Sequence, residues 1–354
     1  MRKIGFVTRN FPPRIGGLER AAFDWYQSIS KHGEVRLLAH RGSKKTLLFF
    51  IVRAPWVLLR WRLGGVCHVH LHDASLCILL WPWLYLFPKV TCTVHGLDAS
   101  FPNPLYQALW RGCRGAVSLF LPISEATTRM CRKRGIDDAR LKHMPDGIVI
   151  DERPHPEKEK ARAILRREYP QLPEASLVML WVGRMVPRKG LLWLVRSVLP
   201  SLRDEVCLWV VGDGPEQQQV ADVTSKLNLP VRFFGKVSDR RLLELRCAAD
   251  VAVVPNIPVL GDMEGFGLVS LEANEAGLWV IASDVDGIPS AVHEGMNGTL
   301  VRPADVEHWL TTLRYWLRMP DEERQRLGRQ AQRYVRETFS WERLAKRWWR
   351  EVLC

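Results

Sequence analysis

Two short stretches in the second half of the chain carry residues whose types and spacing suit a phosphorylated, hydroxyl-rich ligand. The first is Trp181-Val-Gly-Arg-Met-Val-Pro-Arg-Lys-Gly190, which follows an apolar β-type run and precedes a helical pattern. Glycine there lets backbone N–H groups approach an anion, and a helix N-terminus favours negative charge. Arg184 and Lys189 add two fixed cations for a diphosphate. The second is Glu264-Gly-Phe-Gly-Leu-Val-Ser-Leu-Glu272. Glu264 lies on a glycine-flanked loop, and Glu272 lies inside the helix that follows. Carboxylates accept hydrogen bonds from sugar and ribose hydroxyls. The backbone amides of Gly265, Phe266, Gly267, Leu268 and Val269 can face an anion between them. Two glutamates at this spacing are ordinarily a solvated helix face; Gly265 and Gly267 on an apolar loop argue against that here.

Three other patterns mimic sites. His68, His70 and His72 alternate, so on a strand they share one face, and three imidazoles can ligate zinc. No cleft acid or water-activating context accompanies them, and they read as strand-end histidines near an acceptor cleft. Asp284-Val-Asp286 is a D-x-D that trails the glutamate pair at a strand end and reads as a turn. Gly212-Asp-Gly214 lacks both the third glycine and the later acid of a dinucleotide fingerprint.

Such residues need a rigid frame, and the chain alternates short β runs with helical stretches, the signature of helices layered on parallel sheets. Strands are expected at 3–8, 35–39, 66–71, 90–94 and 120–122. After a polar, proline-containing linker at 151–173 the rhythm restarts, with strands at 177–182, 206–211, 231–234, 251–254 and 279–283. The expected fold class is α/β with two facing Rossmann-like doubly wound domains, ligands binding in the cleft at the strand ends. The domains fall at 1–152 and 153–338, with a C-terminal helix at 339–354 docking back on the first. A length of 354 residues suits two such cores.

Charge separates the halves. Residues 1–150 hold 22 Lys/Arg against 9 Asp/Glu, and residues 151–354 hold 29 of each, so the whole net charge of +13 lies in the first half. An anionic partner is implied there. Residues 46–61 (TLLFFIVRAPWVLLRW) are too interrupted by Arg53, Pro55 and Arg60 to span a bilayer. Flanked by Lys44, Lys45 and Arg62 and carrying Trp56 and Trp61, they fit a helix lying in the headgroup region. The alternative is a helix packed on the sheet with snorkelling arginines; the interfacial reading is preferred. Eight cysteines, Cys67 to Cys354, have no C-x-x-C or zinc spacing and are expected to be reduced. The N-terminal apolar run is too short for a signal peptide. A cytoplasmic protein, peripheral on the cytoplasmic face of the membrane, is expected.

Further segments extend these two. Pro12-Pro13…Gly16-Gly17-Leu18-Glu19, Val94-His95-Gly96-Leu97-Asp98 and Pro122-Ile123-Ser124-Glu125 come first. Pro145-Asp146-Gly147-Ile148, Val211-Gly212-Asp213-Gly214-Pro215 and Phe234-Gly235-Lys236-Val237-Ser238 follow in order. Taken with Gly183-Arg184…Lys189-Gly190 and the Glu264–Glu272 pair, the set resembles the retaining GT-B-fold glycosyltransferases of the family-4 type (glycosyl transferases group 1), over nearly the whole chain. The resemblance implies a nucleotide diphosphate sugar donor, either a UDP- or a GDP-sugar, no required cofactor and no metal. By position it makes Arg184 and Lys189 the diphosphate ligands, Glu272 the ribose ligand and Glu264 the ligand of the transferred sugar. It places Gly16 and Gly17 against the diphosphate, Lys236 and Val237 beside the base, and His95 against the donor sugar near the reacting carbon. The implied reaction moves a hexose, with retention, to a lipid-linked or growing saccharide in cell-surface polysaccharide or glycolipid biosynthesis. Front-face attack, with the leaving phosphate taking the proton, is implied by the family.

Four departures bear on sugar preference. Asp146 stands where the family commonly has Asn, Glu275 where a small residue is usual and Ser290 where many relatives have Glu, and the loop at 256–263 is longer than in most relatives. An epimerase or phosphorylase on the same double fold would want a different carboxylate and histidine set or a cofactor lysine. A basic protein binding nucleic acid would want a recognisable module, and none appears; a basic protein that only binds membrane remains as the non-enzymatic alternative.

Overall fold

The computed structural model describes residues 3–13, 16–42, 44–169 and 177–352. Arg14-Ile15 of the first glycine loop, residues 170–173 of the polar linker and Cys354 lie outside the described residues. The chain divides into two compact units: Met1–Val149 with Phe339–Cys354, and Ile150–Thr338.

The first unit holds β1 (Lys3–Thr8), β2 (Glu34–Ala39), β3 (Val66–Leu71), β4 (Lys89–Val94) and β5 (Leu119–Pro122) in one sheet, ordered β2-β1-β3-β4-β5. Every pairing is parallel. Because parallel strands are buried on both faces, they read as nearly continuous apolar runs, and β1, KIGFVT, is buried from Ile4 onward. One face is covered by the helices Leu47–Leu63, Ser75–Leu84 and Pro104–Cys113, which send Phe50, Leu58, Leu76, Leu80 and Trp110 into a common core. The other face carries helix Gly17–Ser30 and the late helix Trp341–Glu351. There Trp25 packs 5.3 Å from Trp341 and 5.9 Å from Trp348, ring centroid to centroid. Ile148 and Ser340 pair in a short bridge where the chain leaves the unit and returns to it. An added methyl at Gly147 would stand 2.7 Å from the Phe339 carbonyl, so the returning chain lies directly against that glycine.

The second unit holds β6 (Leu177–Val182), β7 (Val206–Val211), β8 (Val231–Gly235), β9 (Val251–Val254), β10 (Val280–Ser283) and β11 (Gly298–Val301). They form one parallel sheet, ordered β11-β10-β9-β6-β7-β8. The helical pattern expected after the Trp181–Gly190 stretch is irregular. It tightens at Pro187–Lys189 and widens to a π turn over Leu194–Val198 before Leu199–Leu202. Pro200 explains this: it has no N–H to give and its ring clashes with the carbonyl one turn back. β11 and the helices Ser75–Leu84 and Pro104–Cys113 were not anticipated from sequence.

Each sheet reverses its winding direction once, between β1 and β3 in the first and between β6 and β9 in the second. Loops leaving the carboxyl ends of strands at such a reversal splay apart and leave a crevice. In the second unit those loops begin at Gly183 and Pro255; in the first they begin at Arg9 and His72.

Candidate functional site

In the second unit the loop after β6 and the loop after β9 meet beside the reversal. Lys189 Nζ lies 2.6 Å from Glu264 Oε2 and Arg188 Nε lies 3.6 Å from the same oxygen. Asn256 donates to that oxygen from Nδ2 at 3.1 Å. The Glu264 backbone is pinned as well: its N–H donates to Asp286 Oδ2 at 3.0 Å, and its carbonyl accepts the Gly287 N–H at 2.9 Å. Burial alone would raise the Glu264 pKa, but Lys189 and Arg188 outweigh it and hold the carboxyl below its usual range. Two glycines make the approach possible. Gly190 has φ +64°, and a methyl on it would fall 1.8 Å from the Pro255 carbonyl oxygen. A methyl on Gly287 would fall 2.0 Å from the Gly265 carbonyl oxygen.

Arg184 is exposed on the same β6 loop. It lines a hollow of about 590 Å³ with Gly183, Gly212, Asp213, Gly214, Pro215 and Lys236. Lys236 Nζ sits 2.7 Å from Asp213 Oδ2, and Val237 packs partly buried on the core beneath. Gly212 and Gly214 are therefore part of the hollow's wall, the role their neighbours require whatever fingerprint they lack. Gly265 and the buried Phe266 lead to Gly267, which caps helix Leu268–Glu275 with φ +93°. That leaves the amides of Leu268 and Val269 among the helix-opening N–H groups that have no partner within the helix. Glu272, on the same helix, is held by Arg246 at 2.5 Å. The two glutamates thus have different cationic partners, Lys189 and Arg188 for one and Arg246 for the other.

Arg188 and Arg246 were not among the residues singled out from sequence. Each is an arginine among many, and nothing in spacing marks which carboxylate it meets. Glu275, unusual by comparison with the family pattern, is buried and bound: Arg336 lies at 2.7 Å and His155 Nε2 at 3.4 Å from its oxygens. It ties His155 of the linker segment and helix Asp321–Phe339 to its own helix and has no place in the hollow's lining. The D-x-D lies after β10, where Asp286, at φ +53°, caps the Glu264 loop as above. Among the described residues no group of three or more His, Cys, Asp or Glu side chains is placed to hold a metal ion.

In the first unit Gly16 caps helix Gly17–Ser30, its carbonyl accepting the Arg20 N–H at 3.1 Å, while a methyl at Gly17 would meet open space. His95 follows β4 and is buried; its ring Nε2 donates to the His72 carbonyl at 2.9 Å, and Nδ1 lies 3.8 Å from Asp146 Oδ2. Asp98 accepts from the backbone N–H groups of His95, Gly96 and Ala74, fixing the turn after β4. Burial raises the Asp146 pKa, with Asp98 adding to the rise and His95 opposing it. His68 and His70 share the Thr91 hydroxyl at 2.8 and 2.9 Å.

Residues 176–319 match the family model described as Glycosyl transferases group 1. The D-inositol 3-phosphate glycosyltransferase 2 of Catenulispora acidiphila is 32% identical over 203 residues, which cover 53% of this chain and 45% of that protein. The D-inositol 3-phosphate glycosyltransferase of Mycolicibacterium paratuberculosis is 33% identical over 211 residues, 58% of this chain and 45% of that protein. The match thus spans about 45% of the length of the curated relatives. Among solved structures, Anabaena HepE in complex with UDP and glucose superposes with a TM-score of 0.77 at 17% identity, covering 100% of both chains. Sucrose-phosphate synthase from Thermosynechococcus elongatus does so with 0.79 at 19%, covering 100% of this chain and 99% of that one. At these identities the structural likeness is one of fold.

Proposed function

We propose that the chain, whose residues 176–319 match the glycosyl transferases group 1 model and whose fold is of the GT-B type, is a member of that family and a retaining hexosyltransferase. Its donor is a UDP- or GDP-sugar, bound by the second unit without a metal ion. The observation that carries this reading is the meeting of Lys189 and Glu264 at 2.6 Å beside the reversal of the second sheet, with Arg184 exposed on the same loop.

Departure of a nucleoside diphosphate needs negative charge stabilised as the glycosidic bond breaks. Arg184 and Lys189 supply the positive charge that stabilises it. Glu264 accepts from hydroxyls of the transferred sugar, and Glu272, steadied by Arg246, accepts from the ribose. Lys236 and Val237 flank the base. The acceptor hydroxyl attacks on the face the diphosphate leaves, and the leaving phosphate takes its proton.

The acceptor is a lipid-linked or growing saccharide, met at the cytoplasmic face of a membrane. Two observations support that placement. Helix Leu47–Leu63 is apolar on both sides: it buries Phe50, Leu58 and Trp61 and leaves Phe49 and Trp56 70% and 69% exposed. Exposed apolar side chains interleaved with exposed Arg53, Arg60 and Arg62 fit a helix lying at a lipid surface. Trp81, Trp83 and Tyr85 are exposed at the neighbouring helix. Residues 35–124 also hold ten Lys/Arg and only two acids, Asp73 and Asp98. The first is buried and the second is occupied by three backbone N–H groups. No helix among the described residues is long and apolar enough to cross a membrane.

A thermal-shift panel of UDP- and GDP-sugars tests the donor reading, because a ligand of the folded state raises its apparent stability. One nucleotide series should stabilise the protein and the other should not. Absence of stabilisation by any nucleotide sugar would sink the proposal.

A further inference from the structure

The second acid of the D-x-D stands where a side chain is hard to keep. Asp286 has φ +53°, in the turn after β10 that the Ile288 N–H closes on the Val285 carbonyl at 3.1 Å. A side chain in that conformation crowds its own backbone, and glycine adopts it without the clash. The charge is unfavourable as well. Burial raises the Asp286 pKa, and the Glu264 and Asp262 carboxylates add to the rise, against the Glu264 N–H and Arg188. Asp284, the first acid of the motif, is exposed, and its backbone N–H donates to the Val301 carbonyl at 2.8 Å.

What position 286 supplies is one contact. Asp286 Oδ2 accepts the Glu264 N–H at 3.0 Å, and the next N–H along the turn, that of Gly287, donates to the Glu264 carbonyl at 2.9 Å. The peptides on either side of the Glu264 Cα are thus held by two successive residues of one turn, and Glu264 cannot swing on its glycine-flanked loop. The side chain is fixed from another direction. Lys189, Arg188 and Asn256 all reach Oε2. Among the described residues none reaches Oε1, and the side chain keeps 12% of its surface exposed. One oxygen is anchored, and the other is left to accept a hydrogen bond.

We propose that Asp286 is a positioning residue for Glu264: by accepting the Glu264 N–H it holds the carboxylate so that Oε1 meets a hydroxyl of the transferred sugar. This rests on the reading of Glu264 as a ligand of that sugar, given above, and uses residues of the second unit alone. A misplacement of about 1 Å in a group that holds substrate can lower a rate about a hundredfold, so the Glu264 backbone needs fixing as much as its carboxylate does. A glycine at 286 would suit the turn better and hold Glu264 worse.

Titration calorimetry of the full chain with UDP-glucose, UDP-galactose and GDP-mannose, each beside bare UDP or GDP, tests this in two variants. Asp286→Gly keeps the turn and removes the acceptor. Asp286→Asn keeps an acceptor oxygen on a residue that tolerates positive φ. For the nucleotide sugar that wild type binds best, Asp286→Gly should raise Kd about tenfold, and Asp286→Asn should bring it back to within about threefold of wild type. Bare-nucleotide affinity should move by about twofold or less in both, which certifies the fold. Asp284→Asn is the control and should change neither affinity. Wild-type affinity for the nucleotide sugar in Asp286→Gly, an equal loss for sugar and bare nucleotide, or no recovery in Asp286→Asn overturns the positioning role and leaves Asp286 a turn residue. If nothing in the panel binds the wild type, the donor reading fails and takes this role with it. A donor that binds without regard to position 286 overturns this role alone.

Discussion

The lysine at 189 and the carboxylate at 264 were expected from sequence to serve one ligand, and in the folded chain they already hold each other. If Lys189 binds the donor diphosphate as proposed, that diphosphate competes with Glu264 for it, and a sugar hydroxyl replaces part of what the carboxylate loses. Lys189→Ala should lower kcat/KM by about a hundredfold or more, the scale at which a charge-stabilising donor is worth two or more powers of ten. Steady-state kinetics with the best donor from the nucleotide panel measures it. The pair also predicts an acid response. Because the Glu264 pKa is depressed in the folded state, its contribution to stability is complete above the ordinary carboxyl range near 4.3. It fades as pH falls through the depressed value. Glu264→Gln should remove that part of the acid destabilisation, seen as a flatter dependence of urea midpoint on pH below about 5. Arg188→Ala tests the less obvious partner: it should weaken nucleotide-sugar binding more than binding of the bare nucleotide, since Arg188 reaches Glu264 and Asp262. The sequence made Lys189 and Glu264 legible because their motif spacing is local. Arg188 and Arg246 were not legible, since their meaning comes from which loop the fold brings within reach.

At the scale of elements, strands were the more readable part. The apolar β runs of both units sit within a residue or so of their expected bounds, because a strand buried on both faces has an unmistakable composition. Helices Ser75–Leu84 and Pro104–Cys113 were missed for opposite reasons. The first, SLCILLWPWL, is too uniformly apolar for a helical period to stand out. The second begins at a proline after Asn103, whose side chain caps it by accepting the Tyr106 N–H at 3.0 Å. β11 is only four residues long and carries a glycine. Loop contacts are the tightest joints. Gly190→Ala must strain a φ of +64° and push a methyl into the Pro255 carbonyl. A loss of about 2 kcal/mol or more in unfolding free energy is expected by denaturant titration, together with weaker donor binding as the two loops separate.

For the whole molecule, the uneven charge of the sequence finds its place on a surface. The composition gives an excess of +13 confined to residues 1–150, and the fold leaves Arg53, Trp56, Arg60, Arg62, Trp81 and Trp83 of that half exposed on one helical layer. Arg53→Glu with Arg60→Glu should abolish sedimentation with anionic vesicles at low salt, and Trp56→Ser should weaken it even where charge is intact. The thermal shift given by the nucleotide sugar should be unchanged in both variants. Loss of vesicle binding together with donor binding would mean damage to the fold instead.

The return of the chain at Phe339 has a bearing on the order of synthesis. A ribosome finishes residues 150–338 before it makes the helix Trp341–Glu351, whose Trp341 and Trp348 close the face of the first unit around Trp25. The half of the protein made first is thus completed last, and it waits with that indole-lined face open while the other half acquires its core. A nascent chain stalled after residue 338 should expose the Trp25 face to chaperones or proteases, although every strand of the first sheet has by then been made.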